Sequence, residues 1–218
     1  MAIRTMQTGP LRGARQRGRT VKLALWASVL LLASLPTVSL TACAPRPAQT
    51  QAAPARGGGP GGPFTLVNQD GRPVDQSVLK GKWSVVFFGY TFCPDYCPTT
   101  LTTLGKAMDQ LGPKASDAQV LFISVDPERD SPAAMKSYIS SRVFPKNIMG
   151  LTGTPAQVAQ AAKAYGVYYQ KQGTGSTYTM DHSVALYLMD PNGAFHGVIP
   201  DGPPDLDAKQ ISEAMSGA

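Results

Sequence analysis

Cysteine and histidine are scarce in this 218-residue chain, with three and two residues, and Asp, Glu, Lys and Arg together make up only 16% of it. So low a charge content excludes a polyelectrolyte, and the length points to one domain or two small ones. Acidic residues are missing altogether from residues 1–42, which carry six of the 20 basic groups: Arg4, Arg12, Arg15, Arg17, Arg19 and Lys22. Without those six, 14 basic groups face 14 acidic ones, so the formal charge of +6 belongs to the N-terminal segment. The remainder is formally neutral, which excludes a basic nucleic-acid-binding domain and removes nucleic acid from the expected partners. No internal repeat is present. Gly (22) and Pro (19) are somewhat numerous, but many of them fall in one stretch.

One long apolar run stands out. Leu23–Ala42 is uncharged, and with the basic groups before it forms the n-region and h-region of a secretory signal. The run ends in Leu40-Thr41-Ala42-Cys43. Small residues before a cysteine are similar to a bacterial lipobox, in which the signal is cut before the cysteine and its thiol, here Cys43, is lipidated. The alternative is an uncleaved membrane anchor, because a run of this length spans a hydrocarbon core of ~30 Å; Pro36, Ser28, Ser34 and Ser39 weaken that helix. Both readings put the rest of the chain on the extracytoplasmic side of the cell membrane. No Arg-Arg pair precedes the run, which argues against twin-arginine export. Residues 44–63 (APRPAQTQAAPARGGGPGGP) carry no aliphatic side chain larger than Ala and cannot offset chain entropy by burial. The expected organisation is a signal peptide or anchor over 1–42, a flexible tether over 43–63 with a reach of about 25 Å, and a folded domain over 64–218.

In that domain apolar runs alternate with helical patterns, as in an α/β fold. Phe64–Val67 and the stretch after Asp70-Gly71 predict a hairpin. Trp83–Gly89 (WSVVFFG) and Val120–Val125 predict strands buried on both faces. Leu101, Leu104, Met108 and Leu111 recur at helical spacing over 98–111, with Pro98 in the first turn. Ser131-Pro132 opens a second helix, capped by Asp130 or Ser131, through about Ser141. Thr154-Pro155 opens a third that stops at Gly166. A short strand at Val167–Tyr169 and a polar loop over Lys171–Thr177 follow. Ser183–Met189 and Ala194–Ile199 predict a hairpin, and Asp205 or Asp207 caps a last helix to Met215.

Three cysteines in an exported chain leave one unpaired. If Cys43 takes lipid, Cys93 and Cys97 remain, too close together for a structural staple to be their obvious purpose. Cys97 lies at or just before a helix N-terminus, and residues four apart on a helix share a face. Unpaired N–H groups and the helix dipole there favour thiolate, which makes a cysteine both a better ligand and a better redox partner. Two thiolates form a soft donor set suited to copper(I) or zinc, and call for a further ligand. The two candidates are His182, before a buried strand, and His196, in or beside the last one; a lone histidine is ordinarily a surface or satisfied residue.

Read in order, Gly89-Tyr90-Thr91-Phe92-Cys93-Pro94-Asp95-Tyr96-Cys97-Pro98, Ser124-Val125-Asp126-Pro127-Glu128-Arg129-Asp130 and Asp181-His182-Ser183 resemble the Sco/SenC family from about Phe64 onward. The resemblance implies a thioredoxin-like fold, with a central mixed sheet flanked by helices and an added N-terminal hairpin, tethered to the membrane and facing the periplasm. It implies copper as cargo, copper(I) first and copper(II) as the alternative state, held by Cys93, Cys97 and His182. The implied acceptor is the binuclear copper centre of cytochrome c oxidase. A thiol reductant protein is the second implied partner, since a Cys93–Cys97 disulfide must open before metal binds.

Rival readings remain at this level. A thiol-disulfide reductase needs Cys93 and Cys97 but not His182. A peroxiredoxin-like peroxidase is more distant, with the Thr91–Cys93 spacing one residue short and the upstream proline absent. The Asp126–Asp130 segment reads as a turn with Asp130 as helix cap, its oxygens being donors for hard cations. Tyr90, Phe92 and Tyr96 form either a docking surface or core, and Met180 either a thioether donor or packing.

Overall fold

The structure is a computed structural model that describes residues 59–200 and 202–217. The signal or anchor read over 1–42, Cys43 and most of the tether lie outside the described residues. Among the described residues no helix is long and apolar enough to cross a membrane.

The chain runs through β1 (Thr65–Asn68), β2 (Pro73–Asp75), β3 (Trp83–Gly89), α1 (Tyr96–Gln110), β4 (Ala118–Ser124), α2 (Pro132–Ile139), β5 (Ile148–Thr152), α3 (Pro155–Tyr165), β6 (Tyr169–Gln172), β7 (Thr179–His182), β8 (Leu186–Met189), β9 (Phe195–Ile199) and α4 (Pro204–Ser216). Every residue of β3 is buried, which requires strand neighbours on both edges and cover on both faces. The sheet order β2-β1-β5-β4-β3-β8-β9 supplies the first. β3, β4 and β5 are parallel, and the outer pairings are antiparallel, so the sheet is mixed.

Helices supply the second. Phe87 and Phe122 meet across β3 and β4 with ring centroids 5.7 Å apart, and reach Tyr96 of α1 (6.4 Å) and Tyr138 of α2 (5.5 Å) on one face. The next residue, Phe88, points the other way and packs on Tyr165 of α3 at 5.4 Å, as the period of two along a strand demands. Right-handed crossovers between the parallel strands account for α1 and α2 sharing a face, and α4 packs against α1. This is the thioredoxin-like α/β architecture with its N-terminal β1–β2 hairpin.

Local chemistry sets the boundaries. α3 opens with a reciprocal capping box between Thr154 and Gln157 and closes at Gly166, whose φ of +66° lies in the left-handed region. Of the two cap candidates for α2, Ser131 takes the role, accepting from the Ala134 N–H at 3.2 Å. Other boundaries differ from the expectation. Pro203 holds the N-cap position of α4, and Asp205 and Asp207 fall inside its first turn. The loop read over Lys171–Thr177 is shorter than expected: Lys171 and Gln172 belong to β6, which pairs with β7 as a ribbon with Tyr169 opposite His182, and residues 173–178 make the connection. β5, which the sequence reading leaves unassigned, fills the sheet between β1 and β4. Just before Phe64, the Gly61 N–H donates to the Ala164 carbonyl at 2.9 Å.

Candidate metal centre

β3 ends at Gly89, and the chain turns through residues 90–95 into α1. The turn is closed by the Cys93 N–H on the Tyr90 carbonyl at 3.3 Å. Cys97 is the second residue of α1 and fully buried, whereas Cys93 is half-buried at the mouth. Both are thiols. Gly89 is what lets Cys97 sit under the strand end: a Cβ there would lie 2.7 Å from the Cys97 Sγ and 2.7 Å from Phe122.

Cys97 touches both other residues singled out in the sequence. Its N–H donates to the Cys93 Sγ at 3.3 Å, and its Sγ lies 3.8 Å from His182 Nε2. His182 is the last residue of β7. Its Nδ1 lies 2.9 Å from the Ser183 carbonyl, which only accepts, so Nδ1 carries the proton and Nε2 presents its lone pair to Cys97. The Tyr90 ring stands edge-on to the imidazole, 5.8 Å between centroids. Among the described residues no three His, Cys, Asp or Glu side chains are already drawn to metal-ligating range. Cys97 is the shared partner of Cys93 and His182. Two sulfurs and one imidazole nitrogen suit a soft ion, copper(I) above hard cations.

Electrostatics depart from the sequence expectation at Cys97. Burial pushes its thiol well above the ordinary value, with Cys93 and Asp130 adding in the same direction, so desolvation outweighs the helix N-terminus. The cysteine loop is held from below by Asp130, which is also fully buried. Its carboxylate accepts from the Thr91 N–H (3.1 Å), the Thr91 hydroxyl (2.6 Å) and the Ser124 hydroxyl (2.6 Å). Burial nevertheless raises its pKa, those hydrogen bonds opposing.

Of the remaining candidates, His196 is exposed and packs edge-on against Trp83 at 4.9 Å, away from the cysteines. Met180 and Tyr90 belong to the core, and Phe92 is 57% exposed. Sequence reasoning missed the inward role of Asp130 and the group around Arg129 and Tyr178. Tyr178, an aromatic in an otherwise polar run, was the one available signal.

The SCO1/SenC family model matches residues 53–216. The mitochondrial protein SCO1 of Saccharomyces cerevisiae is 44% identical over 139 residues, 62% of this chain and 46% of that protein; the chain spans about half the length of such relatives. Among solved structures, Bradyrhizobium japonicum ScoI with copper bound is 43% identical with a TM-score of 0.66, covering 71% of this chain and 98% of that one. BsSco, a member of the Sco family of cytochrome c oxidase assembly proteins for which a disulfide switch is described, is 25% identical with a TM-score of 0.58, covering 72% and 93%. A family match over most of the chain, with the same sheet and helices recurring in solved relatives, makes this chain a member of the SCO1/SenC family.

Proposed function

We propose that the chain is a membrane-tethered extracytoplasmic copper carrier that takes copper(I) on Cys93, Cys97 and His182 and hands it to the binuclear copper centre of cytochrome c oxidase. One observation carries the reading: buried Cys97 meets the Cys93 sulfur through its backbone N–H and, through its own sulfur, an imidazole nitrogen that the Ser183 carbonyl aims at it. The copper-bound ScoI and the oxidase-assembly relative support the cargo and the acceptor. Two thiolates and a neutral imidazole leave copper(I) with one net negative charge and an open side. An acceptor thiolate enters there and displaces the ligands in turn, Cys93 first because it is the half-buried one.

Competition with a copper(I) chelator on the full-length chain tests this. His182→Ala is expected to lower affinity by at least about 10 to 100-fold, the usual cost of losing even a ligand's supporting partner. Cys93→Ser and Cys97→Ser should cost as much or more, and His196→Ala should change little. Equal affinity in wild type and His182→Ala would overturn the three-ligand site. The tether reading is tested by mass spectrometry of membrane-extracted protein: a lipidated Cys43 N-terminus supports it, and a chain still carrying Arg4 means an uncleaved anchor.

A second reading is favoured by the contrast between a half-buried Cys93 and a buried Cys97. In a thiol-disulfide reductase Cys93 thiolate attacks a target disulfide, releasing one target thiolate. Cys97 then displaces the second, so the target gains two electrons and the pair is oxidised to a disulfide, which a thiol reductant protein must reopen. This activity survives His182→Ala, whereas the copper site does not.

A further inference from the structure

Arg129, in the loop between β4 and α2, is a cation whose side chain is only 14% exposed. Its Nε donates to Asp126 Oδ2 at 2.5 Å, and its Nη1 donates to the carbonyls of Tyr178 at 3.0 Å and Ser176 at 3.4 Å. Its guanidinium carbon lies 3.5 Å from the Tyr178 ring centroid, 4.6 Å from Phe92 and 5.8 Å from Tyr90. Asp126, 2% exposed, accepts a second hydrogen bond from the Tyr178 hydroxyl at 2.6 Å. Lys171 covers the Tyr178 ring as well, 3.9 Å from its centroid, and pairs with Glu128 at 2.6 Å.

The guanidinium thus joins its own β4–α2 loop to two segments distant in sequence. Phe92 adjoins Cys93; Asp126 belongs to the β4–α2 loop; Tyr178 immediately precedes β7, the strand that ends in His182. β6 and β7 form a two-stranded ribbon outside the main sheet, so the large sheet's hydrogen bonds do not set their position. Something else must hold the imidazole beside the cysteines. A buried ion pair adds little net stability, because desolvation offsets attraction. The Nη2 of Arg129 is moreover buried without a hydrogen-bond partner among the described residues, a further cost. What such an arrangement supplies is geometry.

We infer that Arg129 is a positioning residue that locks the β6–β7 ribbon, and with it His182, against the cysteine loop. The guanidinium is required because it donates in its plane, to Asp126 and two carbonyls, while its faces stack on aromatic rings. A lysine ammonium carries the charge but not the fork or the plane. The inference rests on the copper-carrier reading for its metal arm and is independent of it in its metal-free arm.

The test uses the full-length chain with Arg129→Lys and Arg129→Met, each alone and combined with His182→Ala. In the metal arm, a copper(I) chelator competition should show about 10-fold or greater loss in Arg129→Lys when His182 is present. In the His182→Ala background the same substitution should add less than about two-fold, because its effect runs through the missing imidazole. In the metal-free arm, amide hydrogen exchange should quicken over residues 169–183 in Arg129→Lys while β3 and β4 keep wild-type rates. Equal losses in both backgrounds, unchanged exchange in the ribbon, or faster exchange throughout the sheet would each overturn the positioning role. If Arg129→Met fails to fold, Arg129→Lys carries both arms. Failure of the copper reading would look different: wild type would bind copper(I) no better than His182→Ala, while the exchange result would still decide the role of Arg129.

Discussion

Burial and the helix N-terminus act on the Cys97 thiol in opposite directions, and the pH dependence of copper binding measures which prevails. Cys97 occupies the first turn of α1, where the dipole is worth about 0.3–1 kcal/mol and at most ~2. That corresponds to less than about 1.5 pK units toward thiolate. Against it stands complete burial, with a side chain at 0% exposure, and burial shifts reach about 3–5 units toward the protonated form. Burial wins, and the metal-free protein holds Cys97 as a thiol at neutral pH. On the proposed copper(I) site the ligand is the thiolate, so binding must expel that proton. Apparent affinity should therefore rise by at least about ten-fold per pH unit, or about 100-fold across two units around neutrality. The assay is competition against a copper(I) chelator whose own affinity is flat over that range, with Cys97→Ser alongside. Removing Cys97 should lower the slope by about one. A flat wild-type profile would refute the reasoning, since it would mean that Cys97 is already a thiolate before copper binds. The same shift has a consequence for stability. A raised thiol pKa means the fold binds this proton more tightly than the unfolded chain does, so metal-free stability should fall as pH rises above the ordinary thiol value of 9.0.

Asp130→Ala leaves the Thr91 N–H and two hydroxyls without their buried acceptor, and should cost about 2–5 kcal/mol in urea unfolding. Asp130→Asn, which keeps one acceptor oxygen, should cost less. Because burial raises the Asp130 pKa, its contribution is full below the ordinary carboxylate value of 3.8 and declines as pH rises through the folded value. The gap between wild type and Asp130→Asn should therefore narrow upward through that window. Gly89→Ala brings a Cβ to 2.7 Å from the Cys97 sulfur; overpacking of this kind costs about 1–3 kcal/mol, and copper affinity should drop with it. Oxidised by a mild disulfide, Cys93 and Cys97 should pair reversibly with a potential between about −120 and −300 mV, the range of working redox pairs. A potential far below that, with no reaction toward added thiols, would mark the pair as structural.

How far these features could be read in advance depended on whether local chemistry or distant packing decides them. The β3 run, the helical spacing after Pro98 and the Thr154–Gly166 helix are written in adjacent residues, and each stands close to where its pattern puts it. So does the proximity of Cys93 to Cys97, which follows from one loop and one helical turn. His182 is 85 residues from Cys97, and nothing in its neighbours marks it as a partner; only the family pattern singled it out. β6 and β7 carry polar sequences (YQKQ and TMDH) with little apolar alternation, so their pairing depends on anchors such as Arg129 and Tyr178 that only the folded chain brings together. Asp130 looked like a cap because it precedes Ser131-Pro132. The fold turns it inward to Thr91 and leaves capping to Ser131. For Cys97, helix position was legible but the depth of burial was not, and depth decides its protonation.

X-ray absorption at the copper edge of the full-length chain loaded with one copper(I) tests the central claim most directly. The expected spectrum for wild type is that of two sulfur scatterers and one imidazole nitrogen. The nitrogen contribution should vanish in His182→Ala and persist in His196→Ala, and one sulfur should be lost in Cys93→Ser and in Cys97→Ser. A wild-type spectrum with sulfur alone, unchanged by His182→Ala, would contradict the three-ligand centre built on Cys93, Cys97 and His182.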